Sequence, residues 1–220
     1  ECLTIMRFDE KESNVVQLAW QRSKVGGAPG TMHHEDIRVL RLSASVPPTL
    51  SRIGNVAQTD EITEICLGFP CGIPQNRPTE TVFAFLPVTD SGMAFLIQAD
   101  FVLPSSREDV TINSAFNQFL RDQIIVVYST AVDDAKLRGR NGMEELLRFT
   151  PAADCGIGFF RPLPKLIHNL LCDSTCIFGD NKEWVLPSQA LILPEDEITE
   201  VFTQSMIFKH LSMSFTSMAL

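Results

Sequence analysis

The sequence predicts an α/β fold: a mixed β-sheet with helices on one face, followed by a mainly helical portion that carries a small β-hairpin. Three observations predict it. Short apolar runs of strand character, separated by Gly- and Pro-rich connections, recur as far as Leu103. From Asn113 the apolar period changes from two to three and four. Beyond Ala131, two short apolar faces at helical spacing precede two brief apolar runs around a polar turn. With 220 residues, 45% of them hydrophobic, the chain suffices for one large core or a core with a small appendage. The reading divides it into an α/β portion over residues 1–132 and a helical portion with a hairpin over 133–220, packed on the first.

Leu3–Phe8 and Val15–Gln21 are the first strands, and Ile37–Val46 alternates as a half-buried strand does. Between them, Gly26-Gly27-Ala28-Pro29-Gly30 is a turn-rich loop that lacks the Gly-Lys-Ser of a phosphate cradle, and His33-His34 falls in the same loop. Pro47-Pro48 to Asn55 links to a strand around Glu61–Phe69, and Pro70 to Pro78 leads onward. Thr81–Val88 and Met93–Leu103 read as two antiparallel strands joined through Thr89-Asp90-Ser91-Gly92. Pro104, having no N–H to donate, ends the second strand. A polar crossing follows from Ser105 to Asp109, with Arg107 at its centre. The next helix, capped by Asn113, runs over Phe116–Ala131 with Phe116, Phe119, Leu120, Gln123, Ile124, Val127, Tyr128 and Ala131 on its buried face. The β-branched run Ile124–Val127 works against helix there.

Gly142–Phe149 and Leu163–Leu171 are short helices, with Pro162 and Pro164 suited to a first turn. Cys176–Phe178 and Glu183–Leu186 flank Gly179-Asp180-Asn181-Lys182 as a small hairpin anchored by Trp184. The acidic run after Pro194 (Glu195, Asp196, Glu197) opens a last helix, and Met206, Met213 and Met218 either pack in the core or hang free.

Composition excludes several functions. Lys and Arg number 18 against 27 Asp and Glu, a formal net charge of −9 that disfavours broad nucleic-acid binding. Lys136, Arg138, Arg140, Arg148, Arg161 and Lys165 crowd one region, but Asp133, Asp134, Glu144, Glu145 and Asp154 interleave with them. The six cysteines are scattered and read as reduced thiols of a nuclear or cytoplasmic protein. His168, Cys172 and Cys176 step by four, yet no Cys-x-x-Cys supplies the paired ligands of a structural zinc, so no metal is expected. No run approaches the ~20 apolar residues of a membrane span. Gly-x-Ser-x-Gly, His-Glu-x-x-His and Walker-type motifs are all missing from the sequence.

The one position that invites a phosphate is Arg107, because a guanidinium stays charged and matches phosphate oxygens with two parallel N–H groups. Ser105 and Ser106 either donate to the same phosphate or only shape the turn; Arg107 either reaches a phosphate or pairs with Glu108 or Asp109. Asp100 either orients Arg107 or faces solvent.

Leu103-Pro104-Ser105-Ser106-Arg107-Glu108, between strand and helix, resembles the catalytic loop in the middle domain of heat-shock-90 chaperones. Phe83-Ala84-Phe85-Leu86-Pro87, Phe95 to Phe101, the Ser-Ser-Arg-Glu loop and Asn117-Gln118 are together similar to the sacsin and NO VEIN group of large heat-shock-90-like ATPase proteins, its plant members especially. Thr63 to Phe69 and Ser174 to Ser188 agree with the same group. The resemblance implies a transducer-like middle segment of a longer protein, placed after a histidine kinase-like ATPase domain. It implies that Arg107, with Ser105 and Ser106, contacts the terminal phosphate of ATP held with Mg by that upstream domain. The Glu…Asn helix and Asp-x-Gly-x-Gly loop of an ATP pocket do not occur in these residues, so the chain alone is expected to bind neither cofactor. The implied partners are the ATPase domain of the same polypeptide and a client protein, with no membrane and no nucleic acid. The alternative is an interaction module that keeps the fold without nucleotide coupling.

Overall fold

A computed structural model describes residues 2–7, 15–25, 32–50, 61–72, 78–179, 181–192 and 214–216. Alternation builds the sheet. Strands β1 (Cys2–Arg7), β2 (Val15–Val25), β3 (Met32–Ser45) and β4 (Ile62–Pro70) run antiparallel in sequence order. They continue into β5 (Thr81–Ala84), β6 (Leu86–Asp90) and β7 (Leu96–Ala99), which complete a seven-stranded mixed sheet of order β1-β2-β3-β4-β7-β5-β6. Within β3 and β4, Leu40, Leu42, Ala44, Ile65, Leu67 and Phe69 belong to one face and Ile37, Val39 and Cys66 to the other. Both sets are buried, which is why these strands read as nearly continuous apolar runs. The His33-His34 pair lies in β3, opposite Lys24 and Ser23, so it is strand and not loop. The β2–β3 ladder simply extends further than the hydrophobic pattern marks.

The expected hairpin between Thr81–Val88 and Met93–Leu103 does not form. The chain reverses at Phe85, so that β5 pairs antiparallel with β6, and β7 slots between β4 and β5, antiparallel to the former and parallel to the latter. Thr89 to Gly92 still turns the chain: Asp90 Oδ1 accepts from the Gly92 N–H at 2.7 Å and Ser91 Oγ from the Met93 N–H at 3.1 Å. That turn starts a crossover instead of closing a ladder. It also docks on the loop before the third helix, where a Cβ on Gly92 (φ 80°) would stand 1.9 Å from the Cys155 carbonyl oxygen. The apolar pattern runs on through the reversal because the turn uses Phe85 at φ 63°, a residue type that gives no turn signal.

Helix α1 (Ala115–Leu137) lies on the face of Leu40, Leu67 and Phe69, with Phe116, Leu120, Ile124, Val127, Tyr128 and Ala131 buried at the expected period. Its cap is Ser114 instead of Asn113: Ser114 is extended (φ −77°, ψ 117°) and its side chain accepts from the Asn117 N–H at 3.2 Å. Packing overrides the poor helix propensity of Ile124–Val127, since Ile124 and Val127 are wholly buried. Helices α2 (Gly139–Leu147) and α3 (Leu163–Cys172) contribute Met143, Leu146, Leu163 and Ile167 to the same core. Aromatic rings fill its centre: Phe69 contacts Phe95, Tyr128 and Phe149 with centroids 5.2–6.1 Å apart. The small hairpin is present as β8 (Ile177–Phe178) and β9 (Trp184–Val185), with Trp184 edge-on to Phe178 at 4.9 Å. Two further short strands, β10 (Ala190–Ile192) and β11 (Ser214–Thr216), pair in parallel. Gly26–Gly30, the acidic helix start at 194–197 and Met206, Met213 and Met218 lie outside the described residues.

Polar groups knit the layers. Asp134, buried on α1, accepts from Gln17 of β2 and from Arg138 at 3.1 Å, and Arg38 of β3 lies 3.6 Å away. Arg138 reaches on to Glu145 of α2 at 2.7 Å. On the opposite face of the sheet Arg22 sits in a carboxylate clamp formed by Glu35, its cross-strand neighbour, and Glu80.

Candidate functional site

The residues from Leu103 to Val110 bridge β7 and α1. Pro104 to Arg107 is a tight turn, closed by the Arg107 N–H on the Pro104 carbonyl at 3.0 Å, with Ser105 and Ser106 at its corners. Arg107 itself is left-handed (φ 58°), a conformation that costs a side-chain-bearing residue about 1–2 kcal/mol. Pro104 through Asp109 are all exposed. Among the described residues no carboxylate pairs with the Arg107 guanidinium.

The loop edges an open cleft of about 460 Å³, bordered by Phe85, Asp100, Leu103, Pro104, Ser105 and Arg107. Ser106 is not among its walls. Asp100 does not orient Arg107; it accepts from the Thr63 hydroxyl at 3.2 Å. Across the cleft stands Phe85, left-handed and 77% exposed. Two of the three described non-glycine residues with positive φ therefore share one cleft, and the fold gains little burial from either side chain. Backbone strain of this kind gathers at functional sites, where another component makes up for it.

Sequence reasoning singled out Arg107, Ser105 and Ser106, of which Arg107 and Ser105 border the cleft; it passed over Phe85, whose turn is unmarked, and the hydrogen bonds made by Asn117. That residue left a signal: an amide three positions before Leu120 and seven before Ile124, on the apolar stripe of α1.

The other candidates disperse. His168 Nε2 lies 2.7 Å from the Pro151 carbonyl, Cys176 donates to the Leu171 carbonyl at 3.5 Å, and Cys172 is exposed. Of the crowded cations, Arg138 and Arg140 pair with Asp134, Glu145 and Glu144, and Lys136 donates to Thr175. Cys66, Cys71, Cys155, Cys172 and Cys176 are free thiols. Burial pushes the Cys66 thiol up to about 12, and desolvation also raises Cys71, Cys155 and Cys176. A raised thiol is the opposite of an activated nucleophile, which applies to these four. No helix among the described residues is long and apolar enough to cross a membrane.

No family model matches the chain, and no solved structure does. One curated protein does, at 30% identity over 176 residues. The chain is a distant homologue of Protein NO VEIN of Arabidopsis thaliana. The match takes in 73% of this chain and 6% of NO VEIN, so the chain spans a small fraction of the length of its relative. The relation to NO VEIN agrees with the group indicated by the Ser-Ser-Arg-Glu loop and its flanking strands.

Proposed function

We propose that the chain is a transducer-like middle segment of a NO VEIN-type, heat-shock-90-like protein. In this reading Arg107 meets the terminal phosphate of ATP held by an adjoining ATPase domain, and so couples turnover to conformational change and chaperone-like work in the nucleus or cytoplasm. The observation that carries it is Arg107 itself: a strained, exposed cation with no carboxylate partner among the described residues, on a turn at the lip of a cleft. A guanidinium held ready in this way can take two phosphate oxygens without first breaking an ion pair.

The donor set fits a phosphate edge and no more. Arg107 and Ser105 are the lining residues whose side chains carry donors. In this reading the nucleotide and its Mg are held by the partner domain. Bound there, ATP supplies the phosphoryl group; the part of this chain is to stabilise the charge that spreads over its oxygens, an effect worth ~10³ to 10⁵ in rate where arginines of this kind have been measured.

A second reading is a protein-interaction module without nucleotide coupling. The exposed Phe85 and Leu86 beside the cleft, and Asp100 in its wall, favour it. The test separates the two. In the full-length polypeptide, Arg107→Ala is expected to lower ATP turnover roughly ten-fold or more with little change in ATP affinity, since the contact strengthens in the transition state. Arg107→Lys is expected not to rescue, because an ammonium lacks the planar fork. Unchanged turnover in both variants leaves the interaction module standing.

A further inference from the structure

The loop that carries Arg107 is closed at its base by one backbone hydrogen bond and by one side chain that bonds both of its ends. Asn117, fully buried in the first turn of α1, accepts from the Val102 N–H through Oδ1 at 2.8 Å. Its Nδ2 donates to the Val102 carbonyl at 2.8 Å and to the Thr111 carbonyl at 2.9 Å. Val102 and Thr111 flank the loop on either side and are themselves joined, the Thr111 N–H donating to the Val102 carbonyl at 3.1 Å. Both amide protons of Asn117 and one lone pair of its oxygen are thus spent on the two ends of the loop.

We propose that Asn117 is the positioning residue for Arg107, an inference that rests on the functional reading above. Between the two anchored ends, Pro104 through Asp109 are exposed, and the described backbone contacts within this stretch reduce to the Arg107 N–H on Pro104 and the Val110 N–H on the Asp109 carboxylate at 2.7 Å. Neither ties the loop to the rest of the molecule. The helix, by contrast, is rigid: Phe116, Leu120 and Ile124 on either side of the amide are packed in the core. Asn117 is therefore where the fixed helix dictates the start and finish of the Arg107 turn. The chemistry demands an amide. Aspartate would retain the acceptor for Val102 but lose both donations and set a carboxylate against two carbonyl oxygens, and alanine would take the partner from the Val102 N–H and one partner from the Thr111 carbonyl, leaving the Val102 carbonyl with the Thr111 N–H alone.

The test uses the full-length polypeptide with Asn117→Asp and Asn117→Ala. Amide exchange at Val102 and Thr111 is expected to speed up about ten-fold or more, matching the loss of one to two hydrogen bonds, while Leu120 to Ala131 keep their protection. Turnover is expected to fall toward that of Arg107→Ala with ATP affinity unchanged. Adding either Asn117 variant to Arg107→Ala is expected to lower turnover no further, because the two act through one contact. Unaltered exchange at the loop base would overturn the proposal. So would turnover losses that multiply with Arg107→Ala, or global unfolding of both Asn117 variants, which would make the amide a determinant of the fold instead of the loop. If Arg107→Ala alone leaves turnover unchanged, the functional reading falls and the positioning role falls with it; exchange then reports whether Asn117 still fixes the loop for another purpose.

Discussion

The clamp around Arg22 allows a sharp test of how the sheet holds the approach to β5. Arg22 is 5% exposed and faces Glu35 directly in the β2–β3 register. Its Nη1 and Nη2 donate to Glu80 at 2.7 and 2.8 Å, and its Nη2 and Nε to Glu35 at 2.6 and 3.1 Å. These bonds, those to Glu80 foremost, hold the guanidinium above its ordinary value despite burial. Arg22→Met keeps the aliphatic stem and removes the charge. It strands Glu80, whose side chain is 10% exposed, and takes one partner from Glu35, which at 30% can partly rehydrate. Breaking a buried pair from one side costs about 3–5 kcal/mol, and the rehydration of Glu35 places this case near the lower end, about 3 kcal/mol. With a urea slope of about 2 kcal/mol/M the unfolding midpoint drops by about 1.5 M, read by circular dichroism. Arg22→Met combined with Glu80→Leu is expected to recover much of the loss, because the more deeply buried carboxylate is removed together with the guanidinium, and Glu35, 30% exposed, can partly rehydrate. A single-variant cost below about 1 kcal/mol, the range of solvated surface pairs, would refute the argument.

Phe85→Gly is expected to leave stability within about 1 kcal/mol of the wild type: release of the left-handed strain returns about 1–2 kcal/mol, against glycine's entropy of about 0.5–1 and the small contact of a ring 77% exposed. Thermal unfolding checks this, and a loss above about 2 kcal/mol would show that the ring is packed after all. The Cys66 thiol, pushed up to about 12 by burial, keeps its proton in the native state while the unfolded chain gives it up near the ordinary thiol value of about 8.5. Its contribution is therefore complete below that value and is lost as pH rises toward 12. Urea midpoints measured from pH 8 upward should decline less steeply in Cys66→Ala than in the wild type, and equal slopes would count against the burial argument.

The sequence by itself determined the elements whose signal is local. The period of Phe116, Leu120, Ile124 and Val127 is a property of one segment, and so α1 was legible with its buried face. Alternation along Ile37–Val46 fixed β3, and Trp184 with Phe178 marked the small hairpin, because each needs only neighbouring residues to declare itself. The residue types from Leu103 to Glu108 are enough to place Arg107 on a polar turn. What only the tertiary structure decided was partnership. β7 takes β4 as its antiparallel neighbour, with Cys66 opposite Gln98, and leaves β5 in parallel on its other side. No local signal specifies that choice: an apolar strand can satisfy its hydrogen bonds with any neighbour of matching face, and burial of Ile97 and Ala99 against the α1 core settles which one wins. The same holds for the site. A left-handed Phe85 and an Asn117 turned inward onto the carbonyls at the two ends of a loop are imposed by distant packing, since both run against the local preference of their residue type.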